Sequence, residues 1–198
     1  MKETIKRRFD ESIQVKRAFL AESMDGIIRS VEILVETFQK DGKLLIFGNG
    51  GSAADAQHIA AELVNRMEIS GRAALPTIAL TTDTSILTSI CNDLSCDEIF
   101  SRQIEALGRP GDVALAISTS GNSPNILKGL DACRNLGVKT IVMTGGDGGG
   151  ATEKADLVLC VGASTSAARI QETHITIGHV LCEMVEKALF GADCKTGG

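Results

Sequence analysis

The groups that could move a proton or bind a metal ion lie in two stretches of the sequence, residues 53–66 and 168–190. In the first stretch, His58 and Glu62 are four residues apart, a spacing that places both side chains on one face of a helix. Such a pair can share a metal ion, or the glutamate can act as a base. The alternative is a polar pair on the surface with no chemical role.

The second stretch carries Gln171, Glu172, His174 and His179 among many apolar residues, a pattern that predicts a largely buried helix. A lone histidine on such a helix is usually a core residue that has found a hydrogen-bond partner. The residues alone therefore suggest acid–base or metal chemistry and do not exclude two structural histidines.

A glycine-rich stretch, Gly-Asn-Gly-Gly-Ser at 48–52, separates an apolar run from a helical pattern. Glycines allow a sharp turn with exposed backbone amides, and a helix N-terminus adds partial positive charge, so the combination favours an anion. The spacing matches neither the dinucleotide fingerprint nor a Walker A loop. Its structural alternative is a tight turn between a strand and a helix.

A hydroxyl-rich stretch, Ser-Thr-Ser-Gly-Asn-Ser at 118–123, follows another apolar run. Ser123 suits a helix N-cap and Pro124 suits the first helical position. Capping does not explain Ser118, Thr119 and Ser120, whose hydroxyls can donate hydrogen bonds to a phosphate. Two such loops on nearby strands predict a phosphorylated small molecule as ligand. Residues 145–150 carry few side chains and are interpreted as a flexible turn.

Short apolar runs alternate with helical patterns along the chain and define the elements that position these groups. The runs are continuously apolar, as in a parallel sheet that is covered on both faces. We predict one α/β domain over 1–198, with a doubly wound, five-stranded, mainly parallel sheet behind an N-terminal helical segment that Gly42 ends. Ligands of such sheets bind at the carboxyl ends of the strands. The predicted strands are 44–47, 77–80, 113–117, 140–143 and 157–161, and the predicted helices are two within 1–41, then 53–66, 84–91, 97–107, 124–136 and 168–190.

Composition limits the function classes. The chain has 198 residues, a formal net charge of −5, 3% aromatic residues and neither Trp nor Tyr, so a nucleic-acid-binding face is not expected. Its six cysteines, at 91, 96, 133, 160, 182 and 194, form no CxxC or zinc-finger spacing. Cys133 and Cys160 are interpreted as buried thiols. A charged N-terminus and the lack of a long apolar run favour the cytoplasm and no membrane contact.

Four motifs carry a resemblance to a known family: GNGGSAADAQHIAAEL at 48–63, ICND at 90–93, FSRQIEALGRPGDVALAISTSGNSPN at 100–125 and RIQETHITIGHVLCE at 169–183. With them the chain resembles the phosphoheptose isomerases, a family of sugar isomerase (SIS) domain proteins, over nearly its whole length. The resemblance implies an SIS fold and an aldose–ketose isomerase. Its reaction would convert D-sedoheptulose 7-phosphate to D-glycero-D-manno-heptose 7-phosphate through an enediol, as the first step of ADP- or GDP-heptose biosynthesis.

The resemblance also implies roles for individual residues. Glu62 and His179 match the catalytic pair of the family, and one zinc ion per subunit would be held by His58, Glu62, Gln171 and His179. The family is typically a homotetramer with active sites between subunits, and residues 1–41 would take part in packing and oligomerisation. The substrate-binding residues would be Asn49, Gly50, Gly51, Ser52, Glu62, Arg66, Asn92, Asp93, Ser118, Thr119, Ser120, Ser123 and Gln171.

Helix geometry constrains the implied zinc site. Gln171 and His179 are eight residues apart, about 12 Å along the axis of one regular helix. Either Gln171 lies off the helix, or the two side chains come from different subunits. Two other functions stay open: a non-catalytic SIS module that binds a sugar phosphate or a replication-initiator protein, and a nucleotide-binding Rossmann protein, against which the absent dinucleotide fingerprint argues.

Overall fold

The fold is known from a computed structural model, which describes residues 1–191. Five parallel strands form one sheet in the order β2-β1-β3-β4-β5, which confirms the predicted doubly wound α/β class. The strands are β1 (Leu44–Gly48), β2 (Thr77–Ala79), β3 (Val113–Ser118), β4 (Lys139–Gly145) and β5 (Leu157–Val161). The helices are α1 (Lys2–Gln39), α2 (Gly51–Val64), α3 (Thr84–Asp93), α4 (Ser101–Leu107), α5 (Pro124–Leu136) and α6 (Ala167–Phe190), with 3-10 turns at Cys96–Glu98 and Gly149–Glu153.

The sheet separates two apolar clusters because successive strand residues point to opposite faces. Leu44 and Ile46 of β1 pack on one face with residues from α1, α2 and α6. Leu45 and Phe47 pack on the other face with residues from α4 and α5, and the rings of Phe47 and Phe100 lie 5.1 Å apart. Burial on both faces explains why the strands are continuously apolar.

The N-terminal segment is one helix of 38 residues, so the prediction of two helices was wrong. No proline precedes Pro76, and buried residues such as Phe19, Ile27 and Leu34 recur along one face of α1. Gly26 does not interrupt the helix; an added Cβ there would lie 2.9 Å from Leu159 Cδ2, so it permits close packing on β5. The helix ends at Gln39, and Asp41, not Gly42, adopts a positive φ of 59°.

Several boundaries differ from the predicted ones in ways that affect the site. Helix α2 begins at Gly51 and ends at Val64, which leaves Arg66 in the following turn. The segment predicted as helix 97–107 is a 3-10 turn followed by α4. Within residues 1–191, no helix is both long and apolar enough to cross a membrane.

The cysteines differ from expectation in two ways. Cys91 and Cys96 are joined by a disulfide bond, a pairing that their spacing did not predict. Cys133 is a buried thiol as predicted, whereas Cys160 is only half-buried, because it lies on β5 at the edge of the sheet. Cys194 lies outside the described residues.

Candidate active site

The loop after β1 turns tightly against β3 and leads into the N-terminus of α2. A Cβ on Gly48 would lie 2.9 Å from the Ile117 carbonyl oxygen, so only glycine allows the two strand ends to approach this closely. Gly50 is the N-cap residue, with a φ of 56°. The Asn49 side chain exchanges two hydrogen bonds of 2.9 Å with the Asn125 amide, which fixes this loop to the start of α5.

The loop after β3 is folded by its own hydroxyls. The Ser118 hydroxyl accepts a hydrogen bond from the Gly121 amide at 3.2 Å, and the Ser120 hydroxyl accepts one from the Asn122 amide at 3.3 Å. Ser123 is the N-cap residue of α5, as predicted, but its hydroxyl makes no capping hydrogen bond to any described residue. Neither Thr119 nor Ser123 therefore uses its hydroxyl group to cap a helix.

The loop after β4, interpreted from sequence as a flexible turn, packs against the β3 loop. The Gly150 amide donates to Asn122 Oδ1 at 2.9 Å, and the Ala151 amide donates to the Gly121 carbonyl at 2.9 Å. A Cβ on Gly121 would lie 1.9 Å from the Gly148 oxygen, which leaves no room for a side chain. We call residues 49–52, 118–123 and 145–150 together the loop cradle.

The β3 and β4 loops of the loop cradle border a cleft of about 280 Å³ at the carboxyl edge of the sheet. Thr119 and Ser120 line it from one side, and Gly146 and Asp147 line it from another. Helices α2 and α5 both begin at this edge, so the partial positive charges of two helix N-termini face the same region. Backbone amides, hydroxyls and helix ends together suit a phosphate group.

A second group of polar side chains lies where α2 crosses α6. The Nε2 atoms of His58 and His179 are 2.8 Å apart, so one ring donates a hydrogen bond to the other. Glu62 Oε1 lies 3.7 Å from His58 Nε2. The side chains of His58 and Glu62 are 47% and 24% exposed, so solvent or a ligand can reach them. We call His58, Glu62 and His179 the helix cluster.

Close packing of the two helices brings the helix cluster together. A Cβ on Gly178 would lie 2.7 Å from Ile59 Cδ1, so the missing side chain at this position lets α2 approach α6. Ile59 and Gly178 are the immediate neighbours of His58 and His179 in sequence. The two histidines therefore meet because the adjacent positions pack tightly.

Sequence analysis did not identify Asp55 as a candidate site residue, although it lies three residues before His58 on the same face of α2. Burial raises the pKa of Asp55, and attraction to His58 and His179 partly offsets that rise. The (i, i+3) spacing to His58 was the available signal. Asp55 adds a carboxylate next to the helix cluster.

A buried ion pair supports the end of α2, and sequence reasoning missed it. Arg72 donates hydrogen bonds to the carbonyls of Glu62 and Leu63 at 2.7 and 2.6 Å. Its Nε lies 2.7 Å from Glu186 Oε1, and both side chains are 1% exposed. Although burial alone would raise it, the pKa of Glu186 falls to about 2, because Arg72 and the amides of residues 67–69 donate to the carboxylate. The only sequence signal was a glutamate at an otherwise apolar position of the last helix.

The remaining residues from the sequence analysis lie at separate places. His174 is a buried core histidine with a hydrogen-bond partner, as the apolar pattern of its helix indicated, and its Nε2 lies 3.0 Å from the Thr144 carbonyl. Burial lowers the pKa of His174. Arg66 is exposed and donates to Ser70 Oγ at 2.7 Å. Asn92 donates to Asp93 Oδ1 at 2.8 Å on the exposed end of α3.

The structure does not bring Gln171 to the helix cluster. Gln171 and His179 both lie on α6, two turns apart, so the option that Gln171 lies off the helix was wrong. An added Cβ on Gly51 would lie 2.8 Å from Gln171 Nε2, which places this amide beside the loop cradle instead. The four implied zinc ligands therefore divide between the two regions.

The helix cluster matches zinc in donor type more closely than in spacing. Two imidazoles and a carboxylate are common zinc ligands. In a tetrahedral site, however, two nitrogens at ~2.1 Å from the metal lie ~3.4 Å apart, whereas His58 and His179 are at hydrogen-bond distance. Within residues 1–191, no three His, Cys, Asp or Glu side chains converge closely enough to hold a metal ion.

Curated proteins resemble the chain over nearly its full length. The phosphoheptose isomerase of Roseiflexus sp. is 54% identical over 181 residues, which cover 91% of each chain. The phosphoheptose isomerase of Aquifex aeolicus is 51% identical over 187 residues, which cover 94% of this chain and 97% of the relative.

Solved structures show the same similarity in three dimensions. The phosphoheptose isomerase of Neisseria gonorrhoeae superposes with a TM-score of 0.88 at 40% identity, covering 94% of this chain and 98% of the other. That of Francisella tularensis gives a TM-score of 0.90 at 36% identity, covering 93% and 97%. The family model described as the SIS domain matches residues 9–145. The chain therefore belongs to the SIS domain family and, within it, to the phosphoheptose isomerases.

Proposed function

We propose that this chain interconverts D-sedoheptulose 7-phosphate and D-glycero-D-manno-heptose 7-phosphate. The observation that carries the proposal is the presence, in a member of the phosphoheptose isomerase family, of both parts that the reaction needs. The loop cradle offers uncharged donors to a phosphate group. The helix cluster offers a carboxylate and an imidazole that can exchange protons.

The reaction moves a carbonyl from C2 to C1 of the sugar. A base removes a proton from C1 of the open-chain ketose while an acid protonates the carbonyl oxygen at C2, which gives a cis-enediol. Return of a proton to C2, with loss of the proton on the C1 oxygen, gives the aldose. We assign Glu62 as the base and His179 as its acid partner, a type of catalysis that contributes ~10²–10⁴-fold.

We propose that one substrate lies between two copies of the chain. Ser52, in the loop cradle, and Glu62, in the helix cluster, are ten residues apart on α2, about 15 Å along its axis. Gln171 and His179 divide along α6 in the same way. The phosphate would bind the cradle of one copy while the reacting carbons meet the helix cluster of another.

An exposed apolar stripe on α1 supports self-association into the homotetramer that we propose. Its members recur at spacings of four or seven residues on one side of the helix and are between 46% and 69% exposed. A stripe this long is unusual for a surface that faces only water. Its residues are Ile5, Phe9, Ile13, Leu20, Met24 and Ile28.

Mixing two inactive variants tests the shared site. Glu62→Gln removes the proposed base, and Ser120→Asp places a negative charge in the cradle, where it repels phosphate. If sites combine two copies, dissociation and reassembly of a mixture restores activity that neither variant has alone. A mixture that stays inactive while sedimentation shows mixed oligomers contradicts the shared site, and an active monomer contradicts it as well.

We also propose a zinc ion, held by His58, Glu62 and His179 of one copy with Gln171 from another, for which the two imidazoles must move apart from their hydrogen-bond distance of 2.8 Å. Bound zinc would polarise the substrate carbonyl. If Glu62 and His179 both hold the zinc at rest, one of them must leave the metal to move a proton during turnover. The cytoplasm is the compartment that we propose, since sugar phosphates are intracellular metabolites.

The function is tested by adding sedoheptulose 7-phosphate to the purified protein and following the aldoheptose phosphate by NMR, with and without a chelator. Product that disappears on chelation supports both the isomerase and zinc. Product that persists supports the isomerase and favours a purely acid–base site. Absence of product from folded, zinc-supplied protein contradicts the proposal and favours a binding module.

A further inference from the structure

The disulfide bond between Cys91 and Cys96 lies next to two residues that the family resemblance implies in substrate binding. Cys91 is in the last turn of α3, and Cys96 begins the 3-10 turn five residues later. Asn92 and Asp93 lie between the two cysteines. The covalent bond therefore encloses the corner of the chain that presents these two side chains.

Helix α3 has little else to hold it in place. None of its ten residues is buried, unlike the other five helices, each of which buries at least three. Its N-terminus is capped by Asp83, which accepts from the Ile86 amide at 3.0 Å. Only Leu87, Ile90 and Cys91 are half-buried, so packing supports the helix weakly, and an isolated ten-residue helix is marginal in water.

The chain beyond the disulfide is firmly attached. Glu98 accepts a hydrogen bond from the Ser101 hydroxyl and pairs with Lys128 of α5. Phe100, two residues later, is fully buried against Phe47. The disulfide bond thus connects the weakly held end of α3 to a turn that is anchored to the core.

Among the described cysteines, the disulfide contains the one that is most exposed to solvent. Cys96 is exposed and Cys91 is half-buried. Cys133 and Cys182 are buried, and burial raises the pKa of both thiols to about 12. Thiol–disulfide exchange needs a solvent-accessible sulfur and an ionised thiol, so we expect it at the Cys91–Cys96 pair and not at the buried thiols.

We propose that Cys91–Cys96 is a reversible thiol–disulfide switch that sets the affinity of the protein for its sugar phosphate. Disulfides in cytoplasmic proteins are usually transient and redox-sensing, which fits an exposed bond beside a binding corner. In the oxidised state the bond holds Asn92 and Asp93 in place. In the reduced state the end of α3 is free to separate from the anchored turn.

The exchange is balanced with a dithiol as reductant. A thiolate of the dithiol attacks Cys96 Sγ, the S–S bond breaks, and Cys91 leaves as a thiolate that takes up a proton. The second thiol of the reductant then attacks the mixed disulfide and releases Cys96 as a thiol, so the reductant ends as a disulfide. Two electrons pass from the reductant to the protein.

The size of the effect follows from the fraction of molecules in the binding-competent conformation. If reduction leaves α3 in place for a tenth to a third of the time, the apparent affinity falls about 3- to 10-fold. The groups of the helix cluster are not part of this segment. We therefore expect KM to rise while kcat is unchanged.

The test uses the full chain with Cys194→Ser, which removes the cysteine outside the described residues. Oxidised protein and protein treated with dithiothreitol are compared for labelled thiols, for KM and kcat, and for hydrogen exchange over residues 84–93. The Cys91→Ser/Cys96→Ser double variant should match the reduced protein and no longer respond to dithiothreitol. Cys133→Ser, which alters a buried thiol on α5 outside the loop cradle and the helix cluster, should keep the response.

Two extra labelled thiols after reduction, with a 3- to 10-fold higher KM and faster exchange over 84–93, support the switch. Absence of the extra thiols, or an unchanged KM when they appear, overturns it. The switch rests on the proposed function, and hydrogen exchange separates the two. If neither the oxidised nor the reduced protein has isomerase activity, the proposed function fails. Faster hydrogen exchange over 84–93 after reduction would still show that the disulfide bond holds α3 in place. Unchanged exchange would overturn that role of the disulfide bond.

Discussion

The loop cradle is assembled mainly from main-chain groups and glycines, whereas the helix cluster is assembled from three side chains on two helices. In the cradle, Gly121 and Gly149 occupy positions where a Cβ would meet the backbone of a neighbouring loop. In the helix cluster, the backbone is ordinary helix and the chemistry lies at the ends of His58, Glu62 and His179. The cradle therefore offers a phosphate mainly backbone amides and hydroxyls, whereas the helix cluster offers side chains that can exchange protons.

Because of this difference, we expect mutations in the cradle and mutations in the helix cluster to affect different measurable properties. A change in the cradle deforms the backbone, so stability and phosphate binding should fall together. A change in the helix cluster removes a partly exposed functional group, so the rate should fall while the fold remains. Four predictions follow from that contrast, from the largest expected effect to the smallest.

Glu62→Gln should lower kcat by about 10²–10⁴-fold, because it replaces the proposed base with a group that cannot accept the proton. Glu62 is partly exposed, so the melting temperature should change little. The matched control is Glu68→Gln, an exposed glutamate in the turn after α2. Steady-state kinetics that show equal activity for both variants would contradict the role of Glu62.

Gly121→Ala should destabilise the protein by about 3–4 kcal/mol and abolish phosphate binding, because its Cβ would meet the Gly148 carbonyl at a φ of 62°. The control is Gly111→Ala, which has a φ of 96° but nothing within 4 Å of the added Cβ. Strain alone should cost that variant about 1–2 kcal/mol. Urea unfolding of the two variants measures the difference, and equal losses would mean that the cradle is not tightly packed.

Stability should fall by about 3 kcal/mol in acid through Glu186 alone, since its pKa is about 2 in the folded chain and 4.5 is its ordinary value. Because the folded pKa is depressed, this contribution is present above pH 4.5 and is lost as the pH falls towards 2. Glu186→Gln should remove this part of the pH dependence, while Glu183→Gln on the same helix should retain it. Parallel unfolding curves for the wild type and Glu186→Gln from pH 5 to 2.5 would show that Glu186 does not carry it.

Gly178→Ala should lower activity by about threefold to tenfold, because its Cβ would push Ile59 away and move His58 relative to His179. Its stability should change little, since alanine favours the helix and offsets part of the packing cost. Gly129→Ala is the control, with a Cβ 2.9 Å from Phe47 Cε2 on the other face of the sheet. A loss of activity that is as large in Gly129→Ala would assign the effect to general packing.

The sequence predicted elements that depend on local patterns and missed features that depend on packing. Continuous apolar runs located all five strands, and β5 matched its predicted bounds. The spacing of His58 and Glu62 predicted a shared helix face, but the approach of His179 depends on Gly178 and Ile59, which are 119 residues apart. The Arg72–Glu186 pair and the Cys91–Cys96 bond likewise arise only when separate elements meet. The prediction of two helices within 1–41 was wrong because no proline or other helix-ending residue divides the apolar pattern of this segment.

The strand order has a consequence for how the chain reaches its native state. β1 pairs with β3, and Leu44 lies opposite Val113, so the centre of the sheet closes a loop of 69 residues. Pairing across such a separation is slow because the entropy of loop closure precedes the contacts. The cradle exists only after β1 and β3 have met, so an anion that binds it favours the assembled state over the unfolded one. Phosphate should therefore act as a stabilising ligand for the whole domain.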